Sequence, residues 1–246
     1  RDVVIAGGGL AGGLAALALA RLGLTVTLVE AQAPSARGGK DGRSISLSLA
    51  SLRVLDALGI ADALTAVSQP ITTVHISEAG HLGRLCFSAR EMGVPALGQV
   101  VPAESLLAGI MEAALDAGVQ RLSPATVKAA PLAVDGATRT VAVVGTAAIE
   151  RVPARLLLVA DGGGSALCSV LGIERREQHY ASTALVTTAR AMRPQPGVAY
   201  ERFTRQGTLA ILPRAGDRIG VVWSVPEADA EALAALAPED FLARVA

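Results

Sequence analysis

Residues 2–30 read DVVIAGGGLAGGLAALALARLGLTVTLVE, and this stretch decides the fold. Residues 2–6 form a short apolar run suited to a buried parallel strand, and residues 25–29 form a second that ends on Glu30. Between them Gly7, Gly8, Gly9, Leu10, Ala11 and Gly12 spell GxGxxG, and residues 11–22 continue with apolar side chains at helical spacing. In such a unit one glycine makes the tight turn and a second admits a pyrophosphate to the backbone. Gly12 lets the helix pack against the strand. The helix N-terminus offers free N–H groups to phosphates, and Glu30 stands where it accepts hydrogen bonds from a ribose hydroxyl. The glycine motif alone is a weak signal. Strand, motif, helix, strand and terminal acid together make a dinucleotide-binding unit.

Residues 3–29 carry a single charge, Arg21, and so also have the composition of a transmembrane helix. The glycine cluster would weaken a helix there, and the β-branched blocks on either side favour strands. A signal peptide is set aside because the glycine run lies inside the apolar segment and no basic region precedes it. The remaining competitor is a dinucleotide fold that has lost its ligand.

The 246 residues suffice for one large domain or two modest ones. Acidic and basic residues balance at 22 each, so no global field draws the chain to nucleic acid or an acidic membrane surface. Three aromatic types contribute only 2% of the chain, too few for a platform that stacks single-stranded nucleic acid. Cys86 and Cys168 make no disulfide framework, and no Cys/His cluster suggests a metal. The expected compartment is reducing and cytoplasmic. The chain opens at Arg1 directly against the first strand and closes at Ala246 inside an expected helix after Pro238, which reads as a piece of a longer protein or a partly ordered one.

Onward from Glu30, residues 31–42 (AQAPSARGGKDG) form a long polar loop, expected to be functional or mobile. Residues 46–60 are expected to be a helix stopped by Gly59. Arg43 precedes it, and spacing leaves a surface arginine and one turned towards the nucleotide equally open. Residues 72–77 and 82–88 alternate around Glu78-Ala79-Gly80, a β-hairpin holding His75 and His81, neither at metal spacing. A strand at 97–101 leads to a helix at 103–117. Residues 125–134, 139–144 and 156–160 read as the strands of a meander, the last returning to the parallel sheet. Asp161-Gly162 follows that strand at its C-terminal end, where open α/β sheets bind ligands; Asp161 as a cap for the helix at 166–171 is a second, compatible role. Strands are expected at 184–189, 199–204, 208–213 and 219–225. His179 and Tyr180 lie near the expected domain boundary, in structural roles.

Three features in this order, GGGLAG with Glu30, then DGRSISLSLASLRVLDALGI (41–60), then LLLVADGGGSALCSVLGI (156–173), resemble the FAD-dependent aromatic hydroxylases, the single-component flavoprotein monooxygenases. Within them the chain is similar to the ubiquinone-biosynthesis branch, through PITTVHISEAGHLG (70–83), PALGQVVP (95–102) and AYERFTRQGTLAILP (199–213). The resemblance covers essentially the whole chain. It implies an α/β, Rossmann-like FAD-binding domain with an inserted β-meander (1–70 and 96–178), and an antiparallel-sheet substrate domain of α+β type (71–95 and 179–246).

The same resemblance implies that Gly7, Gly8, Gly9, Leu10, Ala11 and Gly12 hold the FAD pyrophosphate and Glu30 the adenosine ribose. Arg43 would serve the flavin side, Val127 would touch the adenine through its backbone, and Asp161 and Gly162 would be a DG motif serving FAD and NAD(P)H. NAD(P)H is then a transient co-substrate without a domain of its own. The implied reaction is hydroxylation of a polyprenylated phenol by O2 through a C4a-hydroperoxyflavin, in a dry pocket roofed by segments 70–95 and 180–225. Implied partners are the polyprenyl phenol and O2, with other ubiquinone-pathway proteins or the inner-membrane surface as possible associates; no nucleic acid is implied. No catalytic residue is named. The family's second flavin motif, glycine-aspartate with a Pro/Gly-rich turn, does not occur within these 246 residues, so FAD binding is expected to be weak or lost and hydroxylation absent in this chain alone. Relatives often place a basic or amide side chain where Ala103-Glu104 opens its helix. The competing readings are another flavin oxidoreductase of the same fold, a halogenase needing a lysine other than Lys40 or Lys128, an NAD-dependent dehydrogenase, and a non-catalytic scaffold.

Overall fold

A computed structural model describes residues 1–33, 42–131, 136–145 and 149–245. Most of the loop at 31–42, with Lys40 and Asp41, lies outside the described residues, as do the end of the strand expected at 125–134 and Asp135. Contacts divide the chain into two units. The first holds residues 1–41, 57–63 and 104–177, the second 42–56, 64–103 and 178–246.

The first unit is built on a four-stranded parallel sheet in the order β12 (Leu156–Val159), β1 (Val3–Ala6), β2 (Val26–Val29), β8 (Gln120–Leu122). Every residue of β1 and β2 is buried, which explains why these strands read as unbroken apolar runs. Each fully buried Val, Leu or Ile contributes about 1.5–3 kcal/mol. α1 (Leu10–Arg21) buries Gly12, Gly13, Ala16 and Leu17. α4 (Ala103–Asp116) closes on it: a Cβ at Gly13 would lie 2.3 Å from Met111 Cε. The segment that has the composition of a membrane span is thus strand, turn, helix and strand. Among the described residues no helix is long and apolar enough to cross a membrane.

A second sheet in this unit is the antiparallel meander β11 (Ile149–Ala154), β10 (Arg139–Gly145), β9 (Ala125–Ala129). Its Val141, Val143, Val152 and Ala154 pack with Val4 and Val29 of the parallel sheet. The third meander strand is therefore 149–154, not the run at 156–160. Pro153 sits within it, and β11 tolerates a proline as an edge strand. α5 (Ala166–Val170) follows β12.

The second unit contains two sheets. In the smaller, β3 (Ser44–Ser48) and β4 (Gln69–Ile71) flank β7 (Gly98–Pro102), both antiparallel to it. The helix expected over 46–60 is corrected here: β3 comes first, α2 (Leu49–Ala57) follows, and α3 (Ala61–Thr65) is separate. Ser44-Ile45-Ser46-Leu47-Ser48 alternates with period two, and its partner, β7, lies some fifty residues away, so local helical spacing lost to a distant ladder. This pairing also puts 42–56 and 96–103 in the second unit, whereas the sequence grouped 1–70 with 96–178.

The larger sheet has six strands in the order β13 (Ser182–Arg190), β16 (Arg218–Pro226), β15 (Gly207–Pro213), β14 (Val198–Thr204), β5 (Thr73–Glu78), β6 (Arg84–Ser88). All pairs are antiparallel except β14 with β5, which run parallel and join two distant chain segments. α6 (Glu227–Ala234) and α7 (Pro238–Val245) cover one face, packing on Leu209, Val221, Trp223 and Val225, with Phe241 edge-on to Trp223 at 5.8 Å.

Candidate functional site

The glycine loop leaves β1 through Gly7, whose φ of +104° suits glycine and whose N–H donates to the Val29 carbonyl at 2.8 Å. A Cβ on Gly12 would lie 1.9 Å from the Gly7 carbonyl oxygen, so α1 sits directly on the loop that feeds it. Gly9 is the N-cap of α1, with φ −74° and ψ −172°, and a Cβ there would meet nothing within 4 Å. No side chain caps this N-terminus and no acid occupies its first turn. The first-turn N–H groups of Leu10, Ala11 and Gly12, which helical geometry leaves without intrahelical partners, and the positive end of the helix dipole suit a phosphate at this position.

Glu30 is buried at the end of β2. Its Oε2 accepts the Gly8 N–H at 2.7 Å and its Oε1 the Gln32 N–H at 2.8 Å. Its backbone N–H donates to the Leu122 carbonyl, and its own carbonyl accepts from Ala125.

Asp161 follows β12 by two residues and is exposed, and its Cα lies 2.6 Å from where a Cβ on Gly7 would stand. Gly162 has φ +93°. The capping role considered for Asp161 belongs to Ser165, which is buried and whose Oγ accepts from the Cys168 N–H at 3.4 Å, at the start of α5. Val127 is half-buried against the meander core. It pairs with Val143, while Ala142 pairs with Ala129, so a bulge at Lys128 interrupts the ladder beside it and leaves backbone groups there unpaired within the sheet. Gly7 to Gly12, Glu30, Val127, Asp161 and Gly162 all belong to the first unit.

Arg43 belongs to the second unit and its side chain is exposed. Its carbonyl accepts from Ala103 at 3.0 Å. The preceding Gly42 carbonyl accepts from Arg214 Nη1 at 3.2 Å, and the same Nη1 donates to Thr188 Oγ1 at 2.6 Å. The next residue, Ser44, has a buried Oγ without a hydrogen-bond partner among the described residues.

The histidines serve packing and surface contacts: His75 stacks on Tyr200 at 5.4 Å, His81 lies 3.5 Å from Glu78, and His179 Nε2 is 2.7 Å from Glu227 Oε2. Tyr180 is exposed. Cys86 and Cys168 are free thiols, and among the described residues no group of three or more His, Cys, Asp or Glu could hold a metal ion. Sequence reasoning missed Ser165, Arg214 and Glu201. Glu201 is half-buried on β14, and burial pushes its carboxyl above the usual carboxylate value. The ERF run at 201–203 within an alternating strand was the signal available for it.

Ubiquinone hydroxylase UbiL of Rhodospirillum rubrum is 35% identical over 248 residues, covering 99% of this chain and 56% of that protein. The 3-demethoxyubiquinol 3-hydroxylase of Escherichia coli is 27% identical over 226 residues, covering 90% and 56%. Among solved structures, P. aeruginosa PqsL in complex with 2-aminobenzoylacetate superposes with a TM-score of 0.80 at 26% identity, covering 99% of this chain and 65% of that one. The chain thus spans just over half the length of the curated relatives it matches. With a glycine loop running into α1, a buried acid at the end of β2 and a match over residues 1–245, the chain belongs to the FAD-binding domain family.

Proposed function

We propose that this chain is the cofactor-binding and sheet portion of an FAD-dependent monooxygenase that hydroxylates a polyprenylated phenol in ubiquinone biosynthesis, with O2 as co-substrate and NAD(P)H as reductant. The observation that carries the proposal is the closed β1–α1–β2 unit. There Glu30 is tied to Gly8 while Gly9, the N-cap of α1, faces open space. Gly7 to Gly12 hold the pyrophosphate, Glu30 the ribose, Val127 the adenine edge through the backbone beside its bulge, and Asp161-Gly162 the cofactor side of the DG turn. Arg43 serves the flavin side. FAD, once bound and reduced, supplies the oxygen-activating chemistry; these residues bind and orient it, and apolar walls exclude water.

The names of the relatives support ubiquinone-pathway hydroxylation, and segments 70–83, 95–102 and 199–213 carry a resemblance to 2-octaprenyl-6-methoxyphenol hydroxylase. A polyprenyl tail is the feature that would bring such an enzyme to a membrane surface or to other proteins of the pathway. The test is an absorbance spectrum with added FAD, taken on this chain and on the full-length protein, followed by NADH or NADPH oxidation with a short-tailed prenylphenol and oxygen. Bound flavin and a hydroxylated phenol in the full-length protein are expected. Bound flavin with reductant oxidation but no hydroxylated product points to another flavin oxidoreductase; a folded protein that binds no flavin points to a scaffold.

A further inference from the structure

The register of the six-stranded sheet lines up one row of side chains across all its strands. Val186 pairs with Val222, Val222 with Ala210, Ala210 with Glu201, Glu201 with Ile76, and Ile76 with Leu85. Paired residues in a sheet share a face, so these six stand together on the side opposite α6 and α7. The row itself differs in burial from the helix side, although Ala199 next to it on the same face is buried with Val74 and Leu212 against Ile71 and Val100. The helix side buries Leu209, Val221, Trp223 and Val225, whereas every member of the row is half-buried or exposed, with Leu85 at 62% and Val186 at 47%. Five of the six are apolar. The sixth is a carboxylate near the middle of the row, and it has no hydrogen bond or ion pair among the described residues.

A glutamate on an apolar sheet face is costly to the charged form, and a partner that donates a hydrogen bond relieves that cost. We propose that Glu201 is the group that recognises the hydroxyl of the phenolic substrate, accepting a hydrogen bond from the O–H while Ile76, Ala210 and Val222 flank the ring. This rests on the reading of the protein as a phenol hydroxylase and names the residue that would read its substrate. The complementarity is specific: the row offers one acceptor in an apolar strip, and a prenylated phenol offers one donor on an apolar body. Burial raises the Glu201 carboxyl, which makes its ionised form a stronger base and a better acceptor for a phenol. A hydrogen bond from the phenol to a carboxylate also increases electron density on the ring, as hydroxylation of the ring requires.

The test compares 2-prenylphenol with prenylbenzene, which lacks only the hydroxyl, by calorimetric binding to the FAD-loaded full-length protein. The wild type is expected to prefer the phenol by about ten- to hundredfold, the size of a hydrogen bond to a charged group. Glu201→Gln keeps a neutral acceptor and should retain part of that preference; Glu201→Ala should bind both compounds alike. FAD affinity and the circular-dichroism spectrum should stay as in the wild type. A preference that survives Glu201→Ala, or a wild type that binds both compounds equally, overturns the proposal while leaving the hydroxylase reading in place. Failure of the wild type to bind either compound overturns the hydroxylase reading itself, and the proposal with it.

Discussion

Glu30 Oε2 accepts the Gly8 N–H at 2.7 Å, so the acid proposed to meet a ribose also locks the glycine loop to the end of β2. The two residues are 22 positions apart, and the contact is buried. One side chain therefore links the glycine loop to the end of β2. A Cβ on Gly8 would lie 2.9 Å from this oxygen, which keeps the loop close to the carboxylate.

Glu30→Gln replaces one carboxylate oxygen with an NH2 that faces a backbone donor. A buried polar group left unpaired costs about 1–3 kcal/mol. For a chain of this size each kcal/mol lowers the melting temperature by about 2–4 °C. Thermal unfolding should show that drop, and FAD titration should show weaker binding. An unchanged melting temperature would mean that the carboxylate does not tie the loop.

Gly12→Ala and Gly9→Ala separate fold from ligand. At Gly12 the new methyl meets backbone 1.9 Å away, which must move, at a cost of about 1–3 kcal/mol for overpacking. At Gly9 the backbone angles suit alanine and the methyl meets nothing, so stability should change by no more than about 0.5 kcal/mol. FAD affinity should nevertheless fall in Gly9→Ala, because the methyl enters the space a phosphate needs. Equal FAD affinity in wild type and Gly9→Ala would place the phosphate elsewhere.

Asp2 ties the start of β1 to Thr25. Its carboxylate accepts the Thr25 N–H at 2.9 Å and the Thr25 hydroxyl at 2.7 Å, with Arg155 Nη1 at 3.3 Å. These bonds, led by the Thr25 N–H, lower its pKa from 3.8 to about 2. A carboxyl held below its unfolded value stabilises the fold above that value, and the gain is lost as pH falls through about 2. Asp2→Asn should therefore melt below the wild type at neutral pH, and the two melting curves should converge as pH falls from 4 towards about 2. A gap that persists at the acid end would assign the effect to something other than the charge.

Arg214 holds Gly42 and Thr188 together through one guanidinium nitrogen. Its side chain passes Gly220, where a Cβ would lie 3.9 Å from Arg214 Cδ. Arg214→Ala should raise amide hydrogen exchange at residues 43 and 44 while leaving β5 and β6 protected. Uniform exchange across the unit would instead report global destabilisation, and no change at all would show that the bridge does not hold the segment.

Local chemistry made much of this protein legible in its sequence. The β1–α1–β2 unit, Glu30, the hairpin β5–β6 and the strands β13 to β16 follow from periodicities of 2 and 3.6 and from turn residues, all of which act over a few positions. Long-range pairing decided the rest. β3 is a strand because β7 lies beside it, β11 carries Pro153 because it is an edge, and β14 runs parallel to β5 across more than a hundred residues. The cap of α5 fell to Ser165 over Asp161, because α5 starts at Ala166, four residues beyond Asp161's reach as an N-cap. Glu201 stands alone in an apolar row only once five neighbouring strands are in register, and Arg214 meets Gly42 across 172 positions. A residue type and its spacing record what a short segment prefers; which distant segment supplies its partner is determined by packing the whole unit, and no local pattern encodes that.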